Sequence, residues 1–475
     1  MSELKSPSPE TLRRFTQIVG ADHAIADPKA MAPYLHEWRD RYHGKAALVL
    51  KPGSVDEVSQ IMALANETRT AIVPQGGNTG LVGGQIPSGS GREAILCLSR
   101  LNRIRNIDLA GNSMTVEAGL VLAQAQEVAL NAGRLFPLRI ASEGSCQIGG
   151  VLSTNAGGTA VLAYGNARDL VLGLEVVLAD GRIWDGLKPL RKDNSGYDLK
   201  HLFMGAEGTL GIITAAVLRL FPVPSETVTA MVGFGSLQDA AGFFDRAYKF
   251  GATELTAFEI MPRVGLELVL RHFEGTQDPL AIPHGWYGLI EFSSANADAG
   301  LTKGVEALLA EALEAGEIAD GTIARSLDQT RTLWRLREEM SEAQKREGGS
   351  IKHDVSVPVA DIPEFIARAD QLVQLMVPGA RPVPFGHYGD GNIHYNISQP
   401  PGQAKEIFLS HWEAVNAAVH EIVLDLGGSI SAEHGIGQAK RGMLPHVKSE
   451  VELGLMRSIK QTLDPNGILN PGKVV

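Results

Sequence analysis

The sequence predicts an α+β protein that begins with a strand–helix–strand unit and continues into an antiparallel sheet. Two observations carry this prediction. Residues 47–73 show the first pattern, which ends directly in a glycine-rich loop. Beyond a boundary near Pro222–Pro224, strand and helix patterns follow one another, with the strands expected to pair antiparallel. The chain then ends in a helical segment followed by a proline–glycine turn.

Length and composition indicate a multidomain globular protein. The chain has 475 residues, of which 44% are hydrophobic and 20% charged, so two to three domains are expected. The formal net charge of -11 argues against nucleic acid or an anionic membrane as the main partner, because no basic surplus is present to bind phosphates.

The start of the chain and its cysteines predict a cytoplasmic protein without a transmembrane segment. Residues 1–15 lack the apolar core and cleavage site of a secretory signal, and no apolar run of membrane-spanning length follows. Cys97 and Cys146 are the only cysteines, without metal-ligand spacing, which favours buried free thiols in a reducing compartment. A redox role for Cys146 stays open.

The first unit is organised around a glycine-rich loop. An apolar strand at Ala47–Leu50 precedes a helix with Ser54 as N-cap and Glu57 three residues on, and a second strand covers Ala71–Val73. The loop at 74–84, PQGGNTGLVGG, holds five glycines and can present backbone N–H groups to phosphates. It is not a Walker loop, and an ordinary surface turn remains an equal alternative on this loop alone.

A second stretch of small residues extends this picture. Residues 144–169 are rich in Gly, Ser, Thr, Asn and Ala and nearly uncharged until their end, which suits a wall against a large planar ligand. A hairpin around Asp180-Gly181 and the turn EGTLGIIT follow. Two such loops predict an extended ligand.

The motif GHYGDGNIH, residues 386–394, contains two histidines separated by a flexible glycine turn. As a strand, the stretch from Asn392 to Ile397 places Asn392, His394 and Asn396 on one face. His387 and His394 could then converge on a cation, with Glu433 of the SAEHGIG motif as third ligand and an open position for substrate. A lone histidine is more often structural, and the donor set alone accepts zinc, manganese or iron.

The five motifs PQGGNTGLVGG, IGGVLSTNAGG, EGTLGIIT, GHYGDGNIH and AEHGIG, in this order, resemble the FAD-dependent D-2-hydroxyacid dehydrogenases of the vanillyl-alcohol oxidase superfamily. The resemblance runs from about Ala47 to the C-terminus. It implies a two-subdomain FAD-binding domain over 1–222, an antiparallel-sheet substrate (cap) domain over 223–428, and a C-terminal segment over 429–475 that completes the active site.

The resemblance implies FAD held by the two loops, with the pyrophosphate near Gly76–Leu81 and the isoalloxazine near Gly149–Gly158. Dissociable FAD is expected, because the first loop has no histidine or cysteine for covalent attachment and the second offers only Cys146. The implied cofactor-binding residues are Pro74, Gly76, Gly77, Asn78, Thr79, Gly80, Leu81, Ser145, Ile148, Gly149, Gly150, Thr154, Asn155, Gly157, Gly158, Gly165, Glu207, Gly208, Ile213 and Asn470.

A predicted helix over Leu327–Glu347 places Arg337 and Ser341 one turn apart, and a following strand points Lys352 and Asp354 the same way. A charged helix usually shows a solvated face, so these residues alone prove little. The branch of the family that resembles D-2-hydroxyglutarate dehydrogenases implies that Arg337, Ser341 and Lys352 grip the distal carboxylate of a dicarboxylic substrate. Members that act on D-lactate usually carry a small neutral residue at the position of Lys352.

The implied reaction oxidises a D-2-hydroxy acid, with D-2-hydroxyglutarate to 2-oxoglutarate as first choice. A divalent metal, zinc before manganese or iron, would lie on His387, His394 and Glu433 and bind the 2-hydroxyl and the proximal carboxylate. His434 would take the hydroxyl proton, Asn392 would hold the proximal carboxylate, and C2 would pass hydride to flavin N5.

Three alternatives remain open. A D-lactate or broad D-2-hydroxyacid dehydrogenase would keep this chemistry and change the distal contact, and an oxidase would pass electrons to oxygen. A flavin-free metallohydrolase could use the same metal ligands. The expected electron acceptor is an electron-transfer flavoprotein or a quinone, no nicotinamide site is visible, and a homodimer is reasonable from the family.

Overall fold

The computed structural model describes residues 4–475, and it divides the chain into two compact units. The first unit comprises residues 4–157, 166–222 and 433–475, and the second comprises 158–165 and 223–432. The C-terminal segment thus groups with the N-terminal residues, and a short insertion at 158–165 groups with the second unit. Residues 1–3, where the first predicted domain begins, lie outside the described residues.

The first unit contains a four-stranded sheet built on buried apolar strands. Leu48–Leu50 and Ile72–Gln75 each pair in parallel with Ala94–Cys97, and Ala24–Ile25 adds an antiparallel edge. The predicted helix between the first two of these strands is confirmed, and the Ser54 side chain accepts a hydrogen bond from the Glu57 backbone N–H at its start. This unit places residues 74–84 at the end of a buried strand.

The first unit also contains a five-stranded antiparallel sheet. Its spatial order is Ile104–Asp108, Ser113–Glu117, Ile212–Arg219, Val171–Val177 and Ile183–Gly186. The last two strands form the predicted hairpin, with Val177 opposite Ile183. A short pair joins Phe221–Pro222 to Arg134–Leu135.

The α-helices of the first unit vary from one turn to four turns. They are Pro9–Val19, Pro28–Met31, Val55–Thr68, Leu122–Asn131, Ile148–Ser153, Lys200–Phe203, Leu444–Val447 and Glu450–Leu463. Single turns of 3-10 helix lie at Ala21–His23, Ala32–Tyr34, Ala167–Leu170 and Arg441–Met443.

The second unit is built on one large antiparallel sheet, as the sequence predicts. The order of its strands is Asp320–Ile323, Glu226–Phe234, Trp286–Ser294, Leu255–Pro262, Arg381–His387, Asn392–Ser398 and Ser350–Lys352, with Val355–Ser356 also paired to Asn392–Ser398. Ile393, Tyr395 and Ile397 enter one apolar core, which confirms the predicted alternation of this strand.

Helices pack on both faces of this sheet and enclose two apolar clusters. The α-helices of the second unit are Val161–Tyr164, Leu237–Gly251, Arg263–His272, Leu301–Glu314, Leu327–Glu338, Met340–Arg346, Ile362–Met376, Lys405–Leu409 and Trp412–Asp425. Single 3-10 turns lie at Val359–Asp361 and Tyr388–Asp390. Across residues 4–475, no helix has both the length and the apolar character needed to span a bilayer.

Two predicted helices are each divided in the structure. The helix predicted over 327–347 breaks at Glu339, which has a ψ of -6°, and both halves pack buried side chains into one apolar cluster. The helix predicted over 404–426 breaks near Ser410, whose hydroxyl donates to the Ile407 carbonyl. Such local side-chain bonds compete with the helical ladder.

The strand predicted from residue 350 onward is interrupted at His353–Asp354. The ring Nδ1 of His353 lies 2.7 Å from the Tyr395 carbonyl oxygen, and this side-chain contact occupies the acceptor of a ladder bond. The pairing register is the same on both sides of this interruption, with Lys352 opposite Asn396 and Val355 opposite Ile393. The strand is therefore not continuous, and the prediction that Lys352 and Asp354 point the same way stays a prediction.

Candidate active site

The first unit contains a cavity of about 670 Å³ whose wall is largely backbone and small side chains. The loop at 74–84 and the stretch after residue 140 supply most of that wall. Fifteen of the predicted cofactor-binding residues line it: Pro74, Gly76, Gly77, Asn78, Thr79, Gly80, Leu81, Ser145, Gly149, Gly150, Thr154, Gly157, Glu207, Gly208 and Ile213.

Five predicted cofactor-binding residues lie outside this wall. Ile148 is buried, and the Asn155 side chain accepts a hydrogen bond from the Arg168 backbone N–H. Asn470 donates to the carbonyl oxygens of Gly84 and Glu207, so it holds two wall segments in place. The remaining two, Gly158 and Gly165, belong to the second unit. Direct contact of these five residues with a cofactor stays a prediction.

The two glycine-rich segments approach each other so closely that a side chain would not fit. A Cβ atom on Gly77 would lie 2.0 Å from the Ser145 carbonyl oxygen. Asn78 has a φ of 56°, and its side chain donates to the carbonyl oxygens of Pro33 and His36, which fixes the turn. Residue size at these positions therefore shapes the cavity.

Gln147 is a cavity residue that sequence reasoning missed. Its Oε1 atom is buried and has no hydrogen-bond partner among the described residues. A buried amide oxygen without a partner is costly, so a polar ligand group that donates to it would stabilise the site. Together with the glycine wall, this orphaned atom fits an extended ligand with polar edges such as FAD. The position of Gln147 between two glycine-rich motifs was the sequence feature from which its place in the cavity could have been predicted.

Cys146 also lines the cavity, and its environment favours the neutral thiol. Burial raises the pKa of Cys146 to about 11, because a thiolate would lose its hydration there. A thiol with this pKa is a weak nucleophile at neutral pH. The environment therefore gives no support to a covalent or redox role.

Glu207 organises the motif that carries Glu433 and His434. Its carboxylate accepts hydrogen bonds from the backbone N–H groups of Ile436, at 2.7 Å, and Gly437, at 2.8 Å. Burial raises the pKa of Glu207, while these two hydrogen bonds act in the opposite direction. Glu433 and His434 lie in the cavity wall, with 3.7 Å between Glu433 Oε1 and His434 Nε2. An imidazole therefore stands at the predicted flavin cavity.

The predicted histidine pair comes together in the second unit. Strand pairing sets His387 opposite Asn392 and Phe385 opposite His394. The rings of His387 and His394 meet edge to face, with centroids 5.6 Å apart. Gly391, at the turn, has a φ of 81°, and a Cβ there would lie 2.2 Å from the Val357 carbonyl oxygen. The turn thus requires glycine to bring the two imidazoles together.

Glu259 contacts two of the predicted site residues and was missed from the sequence. Its carboxylate lies 2.5 Å from His387 Nδ1 and accepts a hydrogen bond from Arg337 Nε at 2.6 Å. Burial alone would raise the pKa of Glu259, but its contacts with His387 and Arg337 hold it at about 2. The Arg337 guanidinium also stacks on Phe385, 4.7 Å from the ring centroid.

Asn392 and Asp354 form a second buried contact beside the histidines. The Asn392 amide nitrogen donates to Asp354 Oδ1 and to the Val355 carbonyl oxygen, both at 3.0 Å. These two bonds use both of its amide hydrogens. A contact of Asn392 with a substrate carboxylate would require one bond to be exchanged, and this role stays a prediction.

Ser341 and Lys352 lie near each other, but they do not share the environment of Arg337. Lys352 Nζ is 3.5 Å from the Ser341 carbonyl oxygen, whereas Arg337 is buried against Glu259. The Ser341 side chain is exposed and Lys352 is half-buried. The helix break at Glu339 lies between Arg337 and Ser341. Their joint contact with a distal carboxylate stays a prediction.

The two histidines of the second unit, His387 and His394, have surroundings that suit two ligands of a divalent metal ion. A proton on His387 Nδ1, facing Glu259, places the ring lone pair on Nε2, and the carboxylate–histidine arrangement is typical of metal ligands. His394 Nδ1 lies 3.9 Å from Asp354 Oδ1. The Ala432 backbone N–H donates to the Asp354 carbonyl oxygen, and Glu433 is the next residue in the chain.

Two protein families match this sequence. The family described as FAD linked oxidases, C-terminal domain, matches residues 223–474, and the FAD binding domain family matches residues 46–186. The first match covers more than half of the chain. Because these are flavoprotein families, the prediction of FAD as cofactor is confirmed.

Two similar proteins cover nearly the whole chain. The probable mitochondrial D-2-hydroxyglutarate dehydrogenase of Oryza sativa subsp. indica is 39% identical over 463 residues, which are 97% of this chain and 81% of that protein. The D-2-hydroxyglutarate dehydrogenase of Xanthomonas citri pv. viticola is 38% identical over 461 residues, covering 96% of this chain and 95% of that protein.

The fold is also that of solved structures. An alkyldihydroxyacetonephosphate synthase superimposes with a TM-score of 0.76 at 18% identity, covering 99% of this chain and 87% of that one. The predicted α+β fold, with an FAD-binding domain of the vanillyl-alcohol oxidase type and an antiparallel-sheet cap domain, is confirmed by this likeness and by the two family matches.

Proposed function

This chain belongs to the FAD-linked oxidase family, within the group of D-2-hydroxyglutarate dehydrogenases, and on that premise we propose that it oxidises D-2-hydroxyglutarate to 2-oxoglutarate. The observation that carries the proposal is His434, an imidazole in the wall of the glycine-lined cavity. A base at that position can take the hydroxyl proton of a substrate held against the flavin.

The cavity residues of the first unit would hold FAD through backbone N–H groups and the Gln147 amide. When bound, FAD supplies a two-electron acceptor for the hydride that leaves C2 of the substrate. The small residues of the wall allow close approach of a large planar ring, and the neutral Cys146 thiol supports non-covalent binding.

His387, His394 and Glu433 would hold a divalent metal, with zinc as first choice and manganese or iron as alternatives. A cation there supplies a Lewis acid that lowers the pKa of the 2-hydroxyl. The chain itself contributes the orientation of His387, through Glu259. Asn392 and Asp354 brace the loop next to the histidines.

The first experiment is anaerobic addition of D-2-hydroxyglutarate, D-malate or D-lactate to the purified flavoprotein, with and without a chelator. Rapid loss of flavin absorbance with the dicarboxylates, abolished by chelation, is expected. The His434→Ala variant should keep its flavin and lose reduction by substrate. Unchanged reduction in that variant would overturn the proposed base, and a colourless protein would support the metallohydrolase alternative.

A D-lactate or broad D-2-hydroxyacid dehydrogenase is the second candidate, and Lys352 distinguishes it. Arg337 donates its Nε hydrogen to Glu259 and keeps its two terminal nitrogens for the substrate, and the proposal assigns the second positive contact of the distal carboxylate to Lys352. Loss of a charge-assisted hydrogen bond costs about 1.5–3 kcal/mol. Lys352→Ala should therefore lower kcat/KM for D-2-hydroxyglutarate about 10- to 100-fold and leave D-lactate nearly unchanged. Equal losses for both substrates would favour the second candidate.

The remaining parts of the proposal concern partners and location. The family premise supports an electron-transfer flavoprotein or a quinone as acceptor and a homodimer. A cytoplasmic location stays a prediction, and several relatives are named as mitochondrial proteins. Little peroxide under air, with rapid reduction of a quinone analogue, is the expected result. Stoichiometric peroxide would instead favour the oxidase alternative.

A further inference from the structure

We propose that Glu259 is a positioning residue that joins the metal-binding and carboxylate-binding sides of the substrate site through one carboxylate. One oxygen orients His387 and the other orients Arg337. This inference rests on the proposed function for the roles of those two partners. It adds a residue that none of the five sequence motifs contains.

Both oxygens of the buried Glu259 carboxylate lie within hydrogen-bond distance of a partner side chain. The strand Leu255–Pro262 is buried along its whole length, and Glu259 is 1% exposed. Sheet pairing sets Glu259 directly opposite His387, with Oε1 2.5 Å from Nδ1. Oε2 accepts from Arg337 Nε at 2.6 Å. Each oxygen thus has a hydrogen-bond partner from a different element.

Stability alone does not explain a carboxylate at this position. Ala257 and Met261, two residues away on either side, enter the apolar cluster that also contains Leu336 and Phe385. Replacing a buried ion pair by apolar residues of similar volume is often neutral or stabilising, because burying the charges costs several kcal/mol. An ion pair in an apolar layer is therefore expected to have a further role.

On the histidine side, Glu259 determines which ring nitrogen carries the proton. A carboxylate facing Nδ1 keeps the proton there and leaves the lone pair on Nε2, the tautomer that a metal ligand needs. It also prevents rotation of the ring. The position of His387 in the strand alone would not select between the two tautomers.

On the arginine side, Glu259 determines which edge of the guanidinium faces a ligand. Nε is engaged by the carboxylate, and the flat face lies on Phe385, 4.7 Å from the ring centroid. A guanidinium held at these two places can offer its two terminal nitrogens together to a second carboxylate. Glu259 and Phe385 thus preorganise Arg337 for bidentate binding.

The proposal predicts that one substitution weakens two separate functions. Outer partners of metal ligands typically change metal affinity 10- to 100-fold. In Glu259→Gln the side-chain volume is kept, but the amide NH₂ group would donate to His387 Nδ1 and move the ring proton to Nε2. The same variant would loosen Arg337, so the KM for a dicarboxylate should rise more than the KM for D-lactate.

The experiment compares Glu259→Gln with Glu347→Gln, a matched control in the same unit. Glu347 is another carboxylate between an imidazole and guanidinium groups, with a side chain 12% exposed, and none of its ion-pair partners among the described residues is a proposed ligand-binding residue. Each flavin-loaded variant is titrated with zinc against a competing chelator, and KM and kcat are measured for D-2-hydroxyglutarate and D-lactate. Melting temperature and flavin content report on folding.

The expected result is a 10- to 100-fold loss of zinc affinity in Glu259→Gln, together with a larger KM increase for D-2-hydroxyglutarate than for D-lactate. The control should show neither change. Glu259→Asp, which keeps the charge but shortens the side chain, should recover part of both, and it replaces the Gln variant if that variant fails to bind flavin.

The proposal that Glu259 joins the two sides of the site would be overturned by unchanged zinc affinity in Glu259→Gln. It would also be overturned if only one of the two measurements, zinc affinity or the difference in KM between the substrates, changed. Equal effects in the control would overturn it as well. If the unmodified protein does not oxidise D-2-hydroxyglutarate, the proposed function fails, whereas the zinc titration still tests the His387 side of this inference.

Discussion

Glu259 and Glu347 are two carboxylates of the second unit with the same kind of neighbours. Glu259 lies between His387 and Arg337, and Glu347 contacts His272 Nε2 at 2.6 Å together with two arginines. Burial opposes ionisation at both positions. Contacts with their imidazole and guanidinium partners nevertheless hold the pKa of each carboxyl at about 2.

The two sites differ in what lies beyond the partners. Around Glu347, Arg271 is largely exposed and Arg381 begins the strand that ends at His387, so the cluster joins two helices and a strand near the surface. The partners of Glu259 are instead a proposed metal ligand and a proposed substrate ligand. The comparison teaches that an ion-pair motif by itself does not define a functional site.

The largest expected change in the free energy of unfolding follows from breaking the buried contact between Glu259 and Arg337. Arg337→Met would leave Glu259 without its guanidinium, and breaking a buried ion pair costs about 3–5 kcal/mol. The free energy of unfolding in urea should fall by that amount. The double variant Glu259→Gln, Arg337→Met should recover part of the loss, because no carboxylate then remains unpaired. A double variant as unstable as the sum of the two single variants would contradict this.

A smaller effect is expected at Glu347. Glu347→Gln should lower the free energy of unfolding by about 1–3 kcal/mol at neutral pH, since it weakens hydrogen bonds to charged groups. The folded-state pKa lies below the unfolded value, so this stabilisation is present above about pH 4.3 and is lost as the pH falls towards 2. The difference in melting temperature from the unmodified protein should therefore narrow between pH 6 and pH 3. A constant difference would show that the charge of Glu347 is not responsible.

The smallest effect is expected for Arg271→Ala. The Arg271 side chain is 58% exposed, and Glu347 keeps contacts with His272 and Arg381 when it is removed. An exposed ion pair contributes less than about 1 kcal/mol. The urea midpoint should hardly move, at low salt as well as high salt. A loss as large as that in Glu347→Gln would mean that the cluster acts as one unit.

Local pattern was enough to predict much of the fold. The strand–helix–strand start, the Ser54 cap, the hairpin around Asp180-Gly181 and the alternation of 392–397 all depend on neighbours in sequence. The breaks at Glu339 and Ser410 were missed because periodicity continues across them. At the first break both helix halves pack into one apolar cluster, and at the second the Ser410 hydroxyl donates to the Ile407 carbonyl oxygen.

The site was predictable where its residues cluster in motifs. Histidines on one hairpin and glycines in one loop can be recognised from spacing, whereas Glu259 stands in an apolar strand, 128 residues before His387 and 78 before Arg337. Glu207 likewise lies 229 residues before the turn that it holds. A carboxylate in such a position has no local signature.

The sequence by itself determined the family, the two glycine-rich loops of the cavity and the identity of the candidate metal and substrate ligands, because short-range spacing and glycine content specify those features. Only the tertiary structure decided which buried charges meet. Sheet register sets Glu259 against His387, and helix packing brings Arg337 to the same carboxylate. Such pairs form because a buried charge without a partner is costly. The partner is distant in sequence, so the local pattern does not predict it.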